Sequence, residues 1–157
     1  MDNISLKALA KINLGLDVVR RRDDGYHEVR MIMQTINLFD RLEIKKIKES
    51  AIKIHTNLFF LPVNENNLVY KAAKLLIDEF GIQEGVSVGL TKKIPVAAGM
   101  AGGSTDAAAM LFGMNRLFGL GLSKKQLMER GVKIGADVPY CIMRGTALAE
   151  GIGDKLS

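Results

Sequence analysis

The sequence predicts an α+β fold, on three observations. Period-two alternation is gathered in the early part of the chain. Helical spacing is interspersed later, each time beside a capping residue or a closing glycine. No repeat, linker or low-complexity segment divides the chain, and its 157 residues suit one domain.

Residues 6 to 18 alternate. Leu6, Ala8, Ala10, Ile12, Leu14, Leu16 and Val18 point one way, and Lys7, Leu9, Lys11, Asn13, Gly15 and Asp17 the other. That pattern predicts a half-buried strand with Lys11 and Asn13 on one face. Arg22-Asp23-Asp24-Gly25 predicts a hairpin turn. A second strand follows through Val29, Met31, Met33 and Thr35, with Tyr26 and His27 at its base. Leu42-Glu43-Ile44 and Ile52-Lys53-Ile54 read as two further short strands. An apolar loop, Leu58 to Pro62, leads into an Asn-rich helix start. Leu68, Ala72, Leu75, Leu76 and Phe80 then keep helical spacing until Gly81 closes it. Val86, Val88 and Leu90 alternate as a strand.

That strand feeds the stretch around which the chain is organised. Pro95-Val96-Ala97-Ala98-Gly99-Met100-Ala101-Gly102-Gly103-Ser104-Thr105-Asp106 is almost all small residues. Gly99, Gly102 and Gly103 permit positive φ and close approach to the main chain. Helical spacing begins at once, with Ala107, Met110, Leu111, Met114, Leu117 and Phe118 on one face, and Ser104, Thr105 and Asp106 are placed to cap it. A glycine loop that opens a helix aims unpaired N–H groups and the positive end of the dipole at one spot, which suits a nucleotide phosphate. The competing account is a flexible turn before a core helix. The loop lacks the Gly-Lys-Ser/Thr ending of a P-loop and the G-x-G-x-x-G spacing.

The helix after the loop is expected to end at Gly119. Ser123-Lys124-Lys125-Gln126 forms a capping box for the next helix, closed by Gly135. The end of the chain reads as a hairpin, Cys141-Ile142-Met143 and Thr146 to Ala149 about a Gly145 turn.

Composition bounds the function. At 48% hydrophobic and 25% charged residues the chain is globular. Cys141 is the single cysteine, so no internal disulfide forms, which fits a reducing cytoplasm; it reads as a buried small apolar residue. The first residues carry no signal-peptide pattern, and no apolar run approaches a membrane span. A cytoplasmic location and no membrane partner are therefore expected. The net charge of +5 suits an anionic ligand. Its two basic clusters, Arg20-Arg21-Arg22 and Lys45-Lys46-Ile47-Lys48, read as solvated strand ends.

Three sites outside the loop could carry chemistry. Lys11 lies in an apolar strand, where a lysine is ordinarily an exposed residue of the wet face. Asp137 stands in Gly135-Ala136-Asp137-Val138-Pro139, where an aspartate is ordinarily a turn residue before proline. Tyr26 and His27 serve equally as hairpin-base residues. A lysine and a carboxylate beside a phosphate loop are, however, the parts that phosphoryl transfer requires.

The segment Pro95 to Thr105 resembles the ATP-binding loop of the GHMP kinase superfamily, which includes galactokinase, homoserine kinase and mevalonate kinase. Ala10-Lys11-Ile12-Asn13-Leu14, Asp24-Gly25-Tyr26-His27 and Gly135-Ala136-Asp137-Val138-Pro139 narrow the resemblance. They match the members that phosphorylate 4-diphosphocytidyl-2-C-methyl-D-erythritol in the non-mevalonate isoprenoid pathway. The resemblance runs from the first strand to Glu150-Gly151-Ile152-Gly153.

It implies a ribosomal protein S5 domain 2-like fold, a mixed and mainly antiparallel sheet packed with helices. Asp137 is then the general base for the 2-hydroxyl of the methylerythritol unit. Lys11 holds Asp137 ionised and hydrogen-bonds that hydroxyl. Asn13 lines the acceptor pocket, Tyr26 stacks on the cytosine and His27 bonds its polar edge. The loop wraps the ATP phosphates, with Ser104 near them or near Mg²⁺. Two departures stand out. Leu9 occupies a place where many relatives have proline. Relatives also continue into a ferredoxin-like domain that closes over the substrate, so this chain is expected to be the N-terminal domain alone, weakly active or inactive.

Two other accounts remain at this stage. One is a different GHMP kinase, of homoserine or mevalonate type, against which Gly25-Tyr26-His27 speaks. The other is an S5-like RNA-binding module. No basic groove with interleaved aromatics supports it, so no nucleic-acid partner is expected. The sequence leaves the oligomeric state open.

Overall fold

The computed structural model describes residues 1–21, 27–96, 102–144, 146–150 and 155–156, with the side chains of 13–33 and of 144 onward outside the description. Two long antiparallel strands dominate, β1 (Asn3–Arg21) and β2 (His27–Ile47). β3 (Ile52–Thr56), α1 (Leu68–Phe80), β4 (Gly85–Thr91), α2 (Gly102–Leu117), α3 (Lys124–Gly131), α4 (Val138–Arg144), β5 (Thr146–Glu150) and β6 (Lys155–Leu156) follow. The strand order is β3-β4-β2-β1-β5-β6. β3 and β4 run parallel, joined through α1, and the other neighbours pair antiparallel. The predicted class, α+β with a mixed and mainly antiparallel sheet, is the one observed.

Alternation in the strands builds the core. Leu6, Ala8, Leu42, Ile44, Val86, Val88 and Leu90 are buried against Ala72 and Leu76 of α1 and Met110, Leu111 and Met114 of α2. Local signals set the helix ends. Asn67 caps α1, its Oδ1 accepting the Val69 N–H at 2.8 Å, and Gly81 ends it at φ 60°, a left-handed conformation that favours glycine. Ser123 and Gln126 form the expected capping box on α3.

Four expectations are corrected. Leu42–Ile44 is the continuation of β2 rather than a separate strand. The break in alternation has a cause: Leu9 pairs with Phe39 and Lys11 with Thr35, so Ala10 alone faces three residues of β2. Second, α3 ends at Gly131, and Gly135 lies beyond it in a turn closed by the Ile134 and Gly135 N–H groups on the Gly131 carbonyl. Third, Cys141-Ile142-Met143 is helical, within α4, and β5 pairs with β1 instead. Pro139 fits the first turn of α4, where a missing N–H costs nothing. Fourth, α2 starts at Gly102, so Ser104, Thr105 and Asp106 lie inside it rather than capping it. Neither Gly102 nor Gly103 has positive φ.

Candidate active site

The first turn of α2 collects the candidate residues. The Thr105 hydroxyl, fully buried, donates to the Leu9 carbonyl at 2.8 Å. This bond fastens the helix start to β1 at the register shift, two residues from Lys11. Lys11 is itself buried, on a strand whose period-two pattern alone leaves it on the wet face. On the other side of the turn, a Cβ on Gly135 would stand 4.0 Å from Ser104 Oγ. The 132–137 turn therefore sits against the same helix start.

That turn delivers Asp137 directly before α4, with its carbonyl accepting the Cys141 N–H at 3.2 Å. The residue is exposed. Cys141 is buried, and its thiol reports what surrounds it. Burial pushes the thiol up to about 11, helped by the negative charges of Asp137 and Asp106. A hydrogen bond with Thr105 and the positive charge of Lys11 oppose the shift. One sulfur thus lies within electrostatic reach of both Lys11 and Asp137, residues 126 positions apart in the chain.

Beneath the helix start is a buried ionic cluster. Lys92, just after β4, places its Nζ 2.6 Å from Asp40 Oδ2 and 2.7 Å from Asp106 Oδ2. Asp40 Oδ1 also accepts the backbone N–H groups of Lys93 (2.6 Å) and Ile94 (2.8 Å). Burial alone would raise the Asp40 carboxyl. Its hydrogen bonds with Asp106, Lys92, Ile94 and Lys93 outweigh burial and hold it below the ordinary carboxylate range. Asp106 has the poorer position, since its Oδ1 is buried without a hydrogen-bond partner. Burial and the Asp40 carboxylate push it well above the ordinary range, against the pull of Lys92. Burial would lower the Lys92 ammonium, but the two carboxylates raise it. Asp40 and Lys92 went unnoticed in the sequence. An aspartate and a lysine beside apolar strand residues are a weak signal, and no spacing rule links positions 40 and 92.

Of the loop residues, Pro95, Val96, Gly102, Gly103, Ser104 and Thr105 are described. Ala97, Ala98, Gly99, Met100 and Ala101 lie outside the described residues, as does Tyr26 with the turn before it. Asn13 and His27 belong to β1 and β2, with side chains outside the description. The N–H groups at the start of α2 have no partner within their own helix, and such groups are the kind of donor an anion accepts from. Among the described residues no group of three or more His, Cys, Asp or Glu is placed to hold a metal. No described helix is long and apolar enough to cross a membrane.

The family model for the GHMP kinases N terminal domain matches residues 67–145, half of the chain. The chain belongs to the GHMP kinases. Two relatives of this GHMP kinase domain are named 4-diphosphocytidyl-2-C-methyl-D-erythritol kinase. One, from Lachnospira eligens, is 64% identical over 157 residues, covering 100% of this chain and 54% of the relative. The other, from Lachnoclostridium phytofermentans, is 62% identical with the same coverage. The chain thus spans about half the length of the curated relatives it matches. A crystal structure of 4-(cytidine 5'-diphospho)-2C-methyl-D-erythritol kinase superposes with a TM-score of 0.77 at 36% identity, covering 98% of this chain and 54% of that one. Homoserine kinase from Cytophaga hutchinsonii shares the fold at 20% identity and a TM-score of 0.71, covering 100% of this chain and 51% of its own.

Proposed function

We propose that this chain is the nucleotide-binding and catalytic part of an ATP-dependent kinase for the 2-hydroxyl of 4-diphosphocytidyl-2-C-methyl-D-erythritol. What supports the reaction class is the Thr105–Leu9 bond at the start of α2, two residues along β1 from Lys11, with the turn that leads to Asp137 lying against the same helix start. The substrate follows from the names of the relatives at 64% and 62% identity.

In this reading Asp137 takes the proton of the acceptor hydroxyl as its oxygen attacks the γ-phosphorus. The bond from that phosphorus to the β–γ bridging oxygen breaks, and ADP leaves. The Lys11 ammonium orients the hydroxyl. The segment Pro95 to Thr105 holds the phosphates through N–H groups, Gly102 and Gly103 bringing the main chain close. Mg²⁺, when bound, would supply positive charge to offset that of the phosphates. It needs one or two protein oxygens beside the phosphates, and the half-buried Ser104 hydroxyl at the helix start fits that need. Asn13, Tyr26 and His27 line the acceptor side, Tyr26 stacking on the cytosine and His27 bonding its edge.

The test is ATP-dependent phosphorylation of the cytidyl substrate, with a double-mutant cycle on turnover. In a chain of the relatives' full length, Asp137→Asn keeps the shape and removes the base, so kcat falls about 10²–10⁴-fold with ATP affinity nearly unchanged. Lys11→Met costs a comparable factor, and the double variant little more than the worse single. Near-normal kcat per folded molecule in Asp137→Asn would make the residue a turn element and overturn the assignment.

A further inference from the structure

We propose that Lys92, gripped by Asp40 and Asp106, is a positioning residue that clasps the two ends of the nucleotide loop so that the amides of α2 are in place before nucleotide arrives. The proposal rests on the reading of the α2 start as the phosphate site.

The clasp joins three elements across the 95–101 segment. Asp40 belongs to β2, Lys92 follows β4 where the loop begins, and Asp106 is in α2 where the loop ends. On the entering side, Asp40 Oδ1 takes the Lys93 and Ile94 N–H groups, fixing the backbone that leads into Pro95. Lys92 is also held by Asn57, whose Oδ1 accepts its N–H at 2.8 Å and whose Nδ2 donates to its carbonyl at 3.1 Å. On the leaving side, the ammonium reaches Asp106 at 2.7 Å. Gly102 lets the helix start settle onto it, since a Cβ there would stand 3.2 Å from Lys92 Nζ and from Ile94 Cγ2.

Burial separates this cluster from an ordinary ion pair. The Lys92, Asp40 and Asp106 side chains are 5%, 0% and 3% exposed, so water and salt compete little. Three buried ionisable groups are a poor way to gain stability, because apolar residues of similar volume often serve as well. What ions add is direction: two carboxylates from different elements converge on one nitrogen. Fixed geometry before binding lowers the ordering cost of holding a polyphosphate.

The test measures Mg·ADP affinity of this chain by titration calorimetry, beside melting temperature. Asp106→Asn keeps the shape but removes one of the two carboxyl groups that face the Lys92 ammonium, and should weaken ADP binding several-fold. The neutral variant Asp40→Asn/Lys92→Met/Asp106→Asn keeps an oxygen at position 40 for the Lys93 and Ile94 amides. It should fold and bind ADP about tenfold more weakly or worse. Unchanged ADP affinity per folded molecule in both variants overturns the clasp and leaves the phosphate site standing. A neutral variant that fails to fold also overturns it, because the cluster is then a stability element. No ADP binding by the unaltered chain overturns the phosphate reading, and the clasp with it.

Discussion

Thr105 and Leu9 are joined by a 2.8 Å hydrogen bond between a buried hydroxyl and a backbone carbonyl 96 residues away. The bond crosses from α2 to β1 at the place where β1 and β2 shift register. It sets how the helix start meets the strand that carries Lys11. The same hydroxyl is in hydrogen-bond reach of the Cys141 thiol, so α4 is tied to the junction as well.

Thr105→Val removes the hydroxyl and keeps the shape. It leaves the half-buried Leu9 carbonyl without that donor, at a cost of about 1 kcal/mol. Thr105→Ser keeps the bond and should lose less. Urea unfolding of both variants gives the comparison, and equal loss in the two would mean the methyl group, not the bond, does the holding.

The two glycines opening α2 should behave differently. A Cβ on Gly103 meets Leu68 Cδ1 at 3.4 Å, an ordinary contact, so Gly103→Ala gains helix propensity of about 0.5–1 kcal/mol. Gly102→Ala presses on Lys92 Nζ and Ile94 Cγ2, both at 3.2 Å, and should cost about 1–3 kcal/mol through overpacking. Paired denaturation curves decide the order, and a Gly102→Ala at least as stable as Gly103→Ala would contradict the packing.

Cys141 should be silent in the native state and costly at high pH. With its thiol raised from 9.0 to about 11, a thiol-reactive dye at pH 8 should label it only as the chain unfolds. The unfolded chain loses the thiol proton near its ordinary value, and the folded chain retains it until about 11. The contribution is therefore fully present below about pH 9 and is lost between about 9 and 11, by up to about 3 kcal/mol. Cys141→Ala should remove that part of the alkaline loss. Rapid labelling of the folded chain at pH 8 would contradict the burial.

What was legible in the sequence was what is local. Asn67 and Gly81 mark both ends of α1 within its own residues, and Ser123 with Gln126 marks the start of α3. The continuity of β2 was hidden because the register shift opposite Ala10 breaks the alternation at Ile36 to Leu38, between its two regular halves. The helix at Cys141 was hidden because a short apolar run reads alike as strand or buried helix. Lys11 and Asp137 stood out through motif resemblance, but their common neighbour Cys141 read only as an apolar filler. The Asp40–Lys92–Asp106 cluster joins residues 52 and 14 positions apart, and only the packed sheet brings them together.

The two amides held by Asp40 have a kinetic consequence. Lys93 and Ile94 lie outside every helix and strand, in a stretch whose amides ordinarily exchange with deuterium at once. Here both N–H groups are bonded to a carboxylate that is itself out of reach of water. Their exchange should be as slow as that of the β2–β4 ladder, because exposing them requires β2 and β4 to part. The beginning of the loop should then exchange together with the β2–β4 ladder, and its exchange rate would report the opening of that pair of strands.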